Sequence, residues 1–126
     1  MLEKEFIPYQ ESLELAKLGF DEPCLATRDQ TEFLHIKGSK KLPRGSMLYD
    51  TVDCPTFSQA FRFFRNKYGL NSHIHQENKD NYSYCCGQGY SDEIGGYQDF
   101  KTYEEAQLEC LKRLIDIAKN GQREIN

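Results

Sequence analysis

Leu15-Ala16-Lys17-Leu18-Gly19-Phe20 and Arg65-Asn66-Lys67-Tyr68-Gly69-Leu70 decide how this chain folds. In each, an amphipathic run with Lys in its last turn meets a Gly and then an apolar residue, and the two copies lie fifty positions apart. Glycine enters the left-handed conformation without a Cβ clash, and the apolar residue after it folds back onto the last turn. Both stretches therefore read as helix C-termini. A possible strand pair follows each. The expected fold is α+β, a single domain over 1–126 in the order αββαββα, with antiparallel sheet from two hairpins and helices packed on one face. The repeated cap suggests an αββ pseudo-repeat with Gly19 and Gly69 at equivalent corners.

Working outward, Pro8 suits the first turn of a helix reaching about Leu18, with Tyr9, Leu13 and Ala16 on one face. Past the turn Asp21-Glu22-Pro23, the runs Cys24–Thr27 and Thr31–Ile36 are expected to pair, with Arg28-Asp29-Gln30 as their connection. Gly38-Ser39, Pro43 and Gly45-Ser46 make 37–55 a long loop. Thr56-x-x-Gln59 is a capping box, and Phe57, Ala60, Phe61, Phe64 and Tyr68 recur behind it at helical spacing. Phe57, Phe61 and Phe64 are expected to be buried, with Arg62, Arg65 and Asn66 opposite. Ser72–Gln76 and Tyr82–Cys86 flank the turn Asn78-Lys79-Asp80-Asn81. Residues 87–101 read as a second long loop, rich in Gly, Tyr and acid. A second capping box, Thr102-Tyr103-Glu104-Glu105, opens a helix to about Asn120, with Ala106, Cys110, Leu111, Leu114, Ile117 and Ala118 inside and Leu108 and Ile115 at the flank. Residues 121–126 are expected to fray.

A chain of 126 residues buries a core without needing staples. No apolar stretch is long enough to span a bilayer, so no membrane partner is expected. Met1-Leu2-Glu3-Lys4-Glu5 lacks the charged-then-apolar start of a secretory signal. The five cysteines, Cys24, Cys54, Cys85, Cys86 and Cys110, follow no framework spacing, and the expectation is free thiols in a cytoplasmic setting. The formal charge is −4. Seven basic residues (Lys37, Lys40, Lys41, Arg44, Arg62, Arg65, Lys67) and two acids (Asp50, Asp53) lie between Lys37 and Lys67, so that segment carries +5 and the remainder −9. Such a balance excludes general nucleic-acid coating, while leaving a local contact for phosphates or an acidic protein.

His73-x-His75 is the sharpest chemical signal, because alternate residues of a strand share a face. With the hairpin centred on Lys79-Asp80, His73 lies opposite Cys86; a one-residue shift brings His75 opposite Cys85. Either arrangement gathers two imidazoles and a thiol, the donor types of a three-ligand zinc site with an open position. Strand-surface polar residues are the simpler reading, so no metal and no cofactor is expected, with His73, His75 and Cys86 the residues that would hold an ion. Cys85 and Cys86 face opposite ways and cannot act as a redox pair. A nucleophilic cysteine would need His35, His73 or His75 as its base. Gly87-x-Gly89 and Gly95-Gly96 lack the Lys-Ser/Thr of a phosphate loop and stand among Asp92, Glu93 and Asp99. No general acid/base pair stands out. The residues left as binding candidates are Lys37, Lys40, Lys41, Arg44, Arg62 and Arg65 for charge, and Tyr90 and Tyr97 as a contact surface.

Phe6-Ile7-Pro8-Tyr9, the run Ala16-Lys17-Leu18-Gly19-Phe20-Asp21-Glu22-Pro23-Cys24, the stretch Phe57 to Leu70 and the ending Thr102-Tyr103-Glu104-Glu105-Ala106 resemble a group of small uncharacterised proteins. That group occurs in phages, prophages and mobile elements of Bacteroides-type bacteria. The resemblance implies a mobile-element setting and assigns no activity, so no functional residue carries over. The function expected is a small non-enzymatic protein acting through surface contacts with a protein partner, with a homodimer plausible from the two loops of opposite charge. The alternative is a nucleic-acid-binding accessory protein using the basic segment 37–67.

Overall fold

The structure, a computed structural model, describes residues 2–37, 51–88 and 92–125. The described residues form an α+β fold, with three α-helices and two three-stranded antiparallel sheets among them. The chain forms two compact units, Met1–Gln59 and Ala60–Asn126. The elements are a 3-10 turn Leu2–Glu5, α1 (Tyr9–Lys17), β1 (Ala26–Asp29), β2 (Leu34–Ile36), β3 (Thr51–Cys54), α2 (Phe57–Tyr68), β4 (Leu70–Asn78), β5 (Asn81–Gln88), β6 (Asp92–Phe100) and α3 (Tyr103–Ile125).

Both expected caps are present. Gly19 has φ +98° and Gly69 φ +67°. At the first, the Phe20 amide donates to the Leu15 carbonyl and the Gly19 amide to that of Ala16, the paired bonds of a helix closed by a left-handed residue. The first capping box forms with both of its bonds, and the second with the bond to its threonine hydroxyl. The Gln59 amide donates to Thr56 Oγ1 at 3.2 Å and the Thr56 amide to Gln59 Oε1 at 3.1 Å, while the Glu105 amide donates to Thr102 Oγ1 at 3.1 Å.

Two stretches expected as loops each contain a strand. Within 37–55, Thr51–Cys54 forms β3, pairing with β1 in the register Ala26↔Cys54 and Arg28↔Val52. Cys54 is buried and Thr51 and Asp53 exposed, the period-two pattern of a strand with one covered face; four residues were too few to stand out after the Gly- and Lys-rich stretch. Within 87–101, Asp92–Phe100 forms β6 against β5, because a paired backbone satisfies its own N–H and C=O groups even where the side chains are glycines. The sheets are therefore β2-β1-β3 and β4-β5-β6. Each unit follows a helix and a Gly cap with three strands, but the third strand joins the first in one unit and the second in the other, so the pseudo-repeat stops at the hairpin. The tail expected to fray from 121 is instead the last turn of α3, which runs to Ile125.

Helix faces rotate slightly from expectation. On α1 the buried residues are Ser12 and Leu15, while Ala16 is exposed and Leu13 half-buried. Ser12 is tolerated inside because its hydroxyl donates to the Pro8 carbonyl at 2.9 Å. On α2, Phe57, Ala60, Phe63 and Phe64 are buried, and Phe61 is only half-buried. The Phe63 and Phe64 rings meet edge-on at 5.3 Å, a favoured aromatic geometry. On α3, Ile115 takes the inner place expected for Ile117.

The first unit has a centre that the sequence reading assigned to a turn. Arg28 and Asp29 belong to β1 and are 7% and 3% exposed. Arg28 Nε donates to the Ile7 carbonyl at 3.0 Å, Nη1 to that of Glu32 at 2.8 Å, and Nη2 to those of Glu3 and Phe6 at 2.7 and 3.2 Å. Asp29 Oδ1 accepts from the Thr31 amide and hydroxyl and from the Phe33 amide, which fixes the β1–β2 turn and lets Glu32 adopt φ +70°. Phe6, Ala26 and Cys54 cluster beside this network, with Leu34 and Ile36 packed against them.

Two stability outcomes follow from these contacts. Arg28→Ala leaves buried carbonyls without donors and should cost about 3–5 kcal/mol in urea unfolding; Arg28→Lys should recover less than half, since an ammonium cannot reproduce the planar fork. Phe64→Ala should also cost about 3–5 kcal/mol and Phe61→Ala clearly less, following their burial. Equal losses at the two phenylalanines would contradict the observed helix face.

Candidate functional site

A groove in the first unit is built from α1, the segment after its Gly cap, and β3. Ser12 and Ala16 come from α1, Phe20, Asp21 and Glu22 from the turn, and Thr51, Val52 and Asp53 from β3, around a cavity of about 500 Å³. The Gly19 cap reverses the chain so that Phe20–Glu22 runs past the end of α1, and antiparallel pairing of β3 with β1 presents the Asp53 side of β3 outward. Ala16, Phe20 and Val52 give the groove apolar wall; Asp21, Glu22 and Asp53 give it three carboxylates. Lys37 Nζ lies 2.9 Å from the Asp53 carboxylate, both side chains about half-exposed. One of the three carboxylates is thus already paired with a cation. The sequence reading missed this site because it placed 51–53 in a loop; the available signal was the short alternation Thr51-Val52-Asp53-Cys54.

The binding residues proposed from sequence fare unequally. Lys37 is engaged by Asp53. Arg62 and Arg65 are exposed on α2, three residues apart and so on neighbouring positions of one face. Tyr97 falls within β6. Lys40, Lys41, Arg44 and Tyr90 lie outside the described residues.

The histidine face is re-registered. Cα partners are Ser72↔Cys86, His73↔Cys85, Ile74↔Tyr84 and His75↔Ser83, with a bulge between Gln76 and Asn78. The bulge moves the pairing by one residue, so Cys85 shares a face with the histidines and Cys86 does not. Cys86 is fully buried and its free thiol is hydrogen-bonded with that of Cys110 on α3, which removes it from the expected ligand set. Cys85 Sγ lies 3.6 Å from His75 Nε2. Among the described residues, no three His, Cys, Asp or Glu side chains are gathered at ligand distance from one point.

The thiols divide by burial. Loss of hydration pushes Cys24 up to about 11 and Cys54 up to about 12, with the Asp53 carboxylate adding to the effect at Cys24 and Arg28 opposing it at Cys54. Cys110 is raised by its hydrogen bond with Cys86 and by burial. These groups stay protonated in the fold after the unfolded thiols have begun to ionise near 9. Their contribution to stability is full below that value and is lost as pH rises through about 12, so the unfolding free energy should fall across that window. Near neutral pH, a maleimide should modify half-exposed Cys85 well before Cys24, Cys54, Cys86 or Cys110, as peptide mapping by mass spectrometry would reveal.

Comparison of the chain with family models, with curated proteins and with solved structures finds no match in any of the three.

Proposed function

We propose that this chain is a small binding protein whose groove between α1 and β3 takes a basic side chain, with its apolar stem, from a protein partner. The observation that carries the reading is the pairing of apolar wall (Ala16, Phe20, Val52) with three carboxylates (Asp21, Glu22, Asp53) in one cavity. Lysine and arginine bury their methylene stems on apolar surface while keeping the charged head in solvent, and Asp53 already pairs with one ammonium group, that of Lys37. Charge complementarity of this kind speeds encounter and selects the partner more than it adds affinity. The setting we propose, from the resemblance of the termini and α2, is the cytoplasm of a cell carrying a phage or mobile element.

A second reading, binding to a nucleic-acid backbone, rests on Arg62 and Arg65, both exposed on α2. Its signature is affinity that falls steeply with salt and is lost with Arg62→Glu and Arg65→Glu together.

Fluorescence anisotropy with a panel of Lys- and Arg-containing peptides distinguishes the two. Asp21→Lys with Glu22→Lys should weaken peptide binding by roughly tenfold, or about 1.4 kcal/mol, while Glu104→Lys at the start of α3 leaves it unchanged. Peptide binding indifferent to the groove charges would overturn the first reading.

A further inference from the structure

On β4 and β5, one sheet face carries His73, His75 and Cys85. Three observations make this face more than a polar strand surface. Cys85 Sγ and His75 Nε2 are 3.6 Å apart. In a tetrahedral zinc site, a Zn–S bond of about 2.3 Å and a Zn–N bond of about 2.0–2.1 Å set the sulfur–nitrogen edge at about 3.6 Å, so this pair already has the spacing of two ligands on one ion. His73 is the direct cross-strand partner of Cys85, which brings the two Cβ atoms to about 4.5–5.5 Å. The His73 and His75 rings lie 6.0 Å apart at 30°, against about 5 Å for two imidazoles on one tetrahedral ion.

We propose that this face binds a thiophilic tetrahedral cation of the Zn2+ class through His75 Nε2, Cys85 Sγ and a His73 nitrogen, with a water in the fourth position. No third ligand is yet in place among the described residues, so the ion completes the set by drawing in His73. That movement is confined to surface side chains, because His73 and His75 are both exposed. The neighbour of Cys85 on β6 is Gly95, which has no side chain to cover the sulfur. The donor set of two imidazoles and one thiolate selects zinc over magnesium or calcium, which prefer oxygen. Binding expels the Cys85 proton, so affinity rises with pH.

Cobalt is the probe. The full chain, reduced with a phosphine and freed of metal, is titrated with Co2+ and read by absorption. Saturable growth of a thiolate-to-cobalt charge-transfer band with tetrahedral d–d bands, reversed by Zn2+, is the expected result. Cys85→Ser should abolish the charge-transfer band. His75→Gln and His73→Gln should each weaken binding by at least the roughly tenfold that loss of a supporting group costs. His35→Gln, in the other unit, should change nothing. Circular dichroism accompanies each variant, and if Cys85→Ser does not fold the two histidine variants carry the test. Absence of the band in the parent protein, its survival in Cys85→Ser, or its loss in His35→Gln would overturn the proposal.

Discussion

Four backbone carbonyls converge on one buried guanidinium in the first unit, and the arrangement of that unit depends on it. Glu3, Phe6, Ile7 and Glu32 come from the N-terminal turn, the segment before α1, and the β1–β2 connection. The Glu3 carbonyl also accepts the Phe6 amide at 3.3 Å, but the buried Phe6 and Ile7 carbonyls receive the guanidinium, and a buried carbonyl without a donor is costly. Arginine suits the task because its donors spread in a rigid plane and the charge strengthens each bond. Glu32 adds a second tie. Its carboxylate accepts the Tyr9 amide at 2.9 Å, occupying one of the orphan donors at the start of α1, and lies 3.9 Å from Arg28 Nε. At that distance, and half-exposed, the carboxylate contributes through the amide bond more than through its charge.

The groove inherits its shape from this frame. The Phe6–Ile7 segment is held on one side by Arg28 and on the other by the Ile7 amide, which donates to the Pro55 carbonyl at 3.0 Å. Pro55 directly follows β3, and α1 begins two residues after Ile7. The two walls of the groove, α1 and β3, are therefore tied to one short segment. A groove framed in this way has its two backbone walls held by hydrogen bonds from one segment.

In the second unit, register decides chemistry. The bulge between Gln76 and Asn78 sends one of two adjacent thiols outward and the other inward. Cys86 becomes a small apolar residue against Cys110 of α3, and Cys85 comes to lie beside His75. A one-residue slip would exchange these roles, since every side chain of a strand changes face with it.

Local chemistry alone determined the helices and, the C-terminus of α3 apart, their ends. Gly19 and Gly69, the boxes Thr56-x-x-Gln59 and Thr102-x-x-Glu105, and the turn at Lys79-Asp80 all act within a few residues, so the α+β class and both hairpins were legible in the sequence. What tertiary structure decided lies wherever a residue's partner is distant. Thr51–Cys54 becomes a strand because β1 offers an edge, and Arg28 leaves the expected turn for the interior because carbonyls more than twenty positions away accept its protons. The rotation of the α2 face from Phe61 toward Phe63 and the exchange of Cys86 for Cys85 depend likewise on how elements meet. Hydrophobic period fixes a helix's stripe only to within a neighbouring residue, and strand pairing fixes a face only once bulges are counted. The groove, made from three separated segments, had no local signature beyond the short alternation Thr51-Val52-Asp53-Cys54.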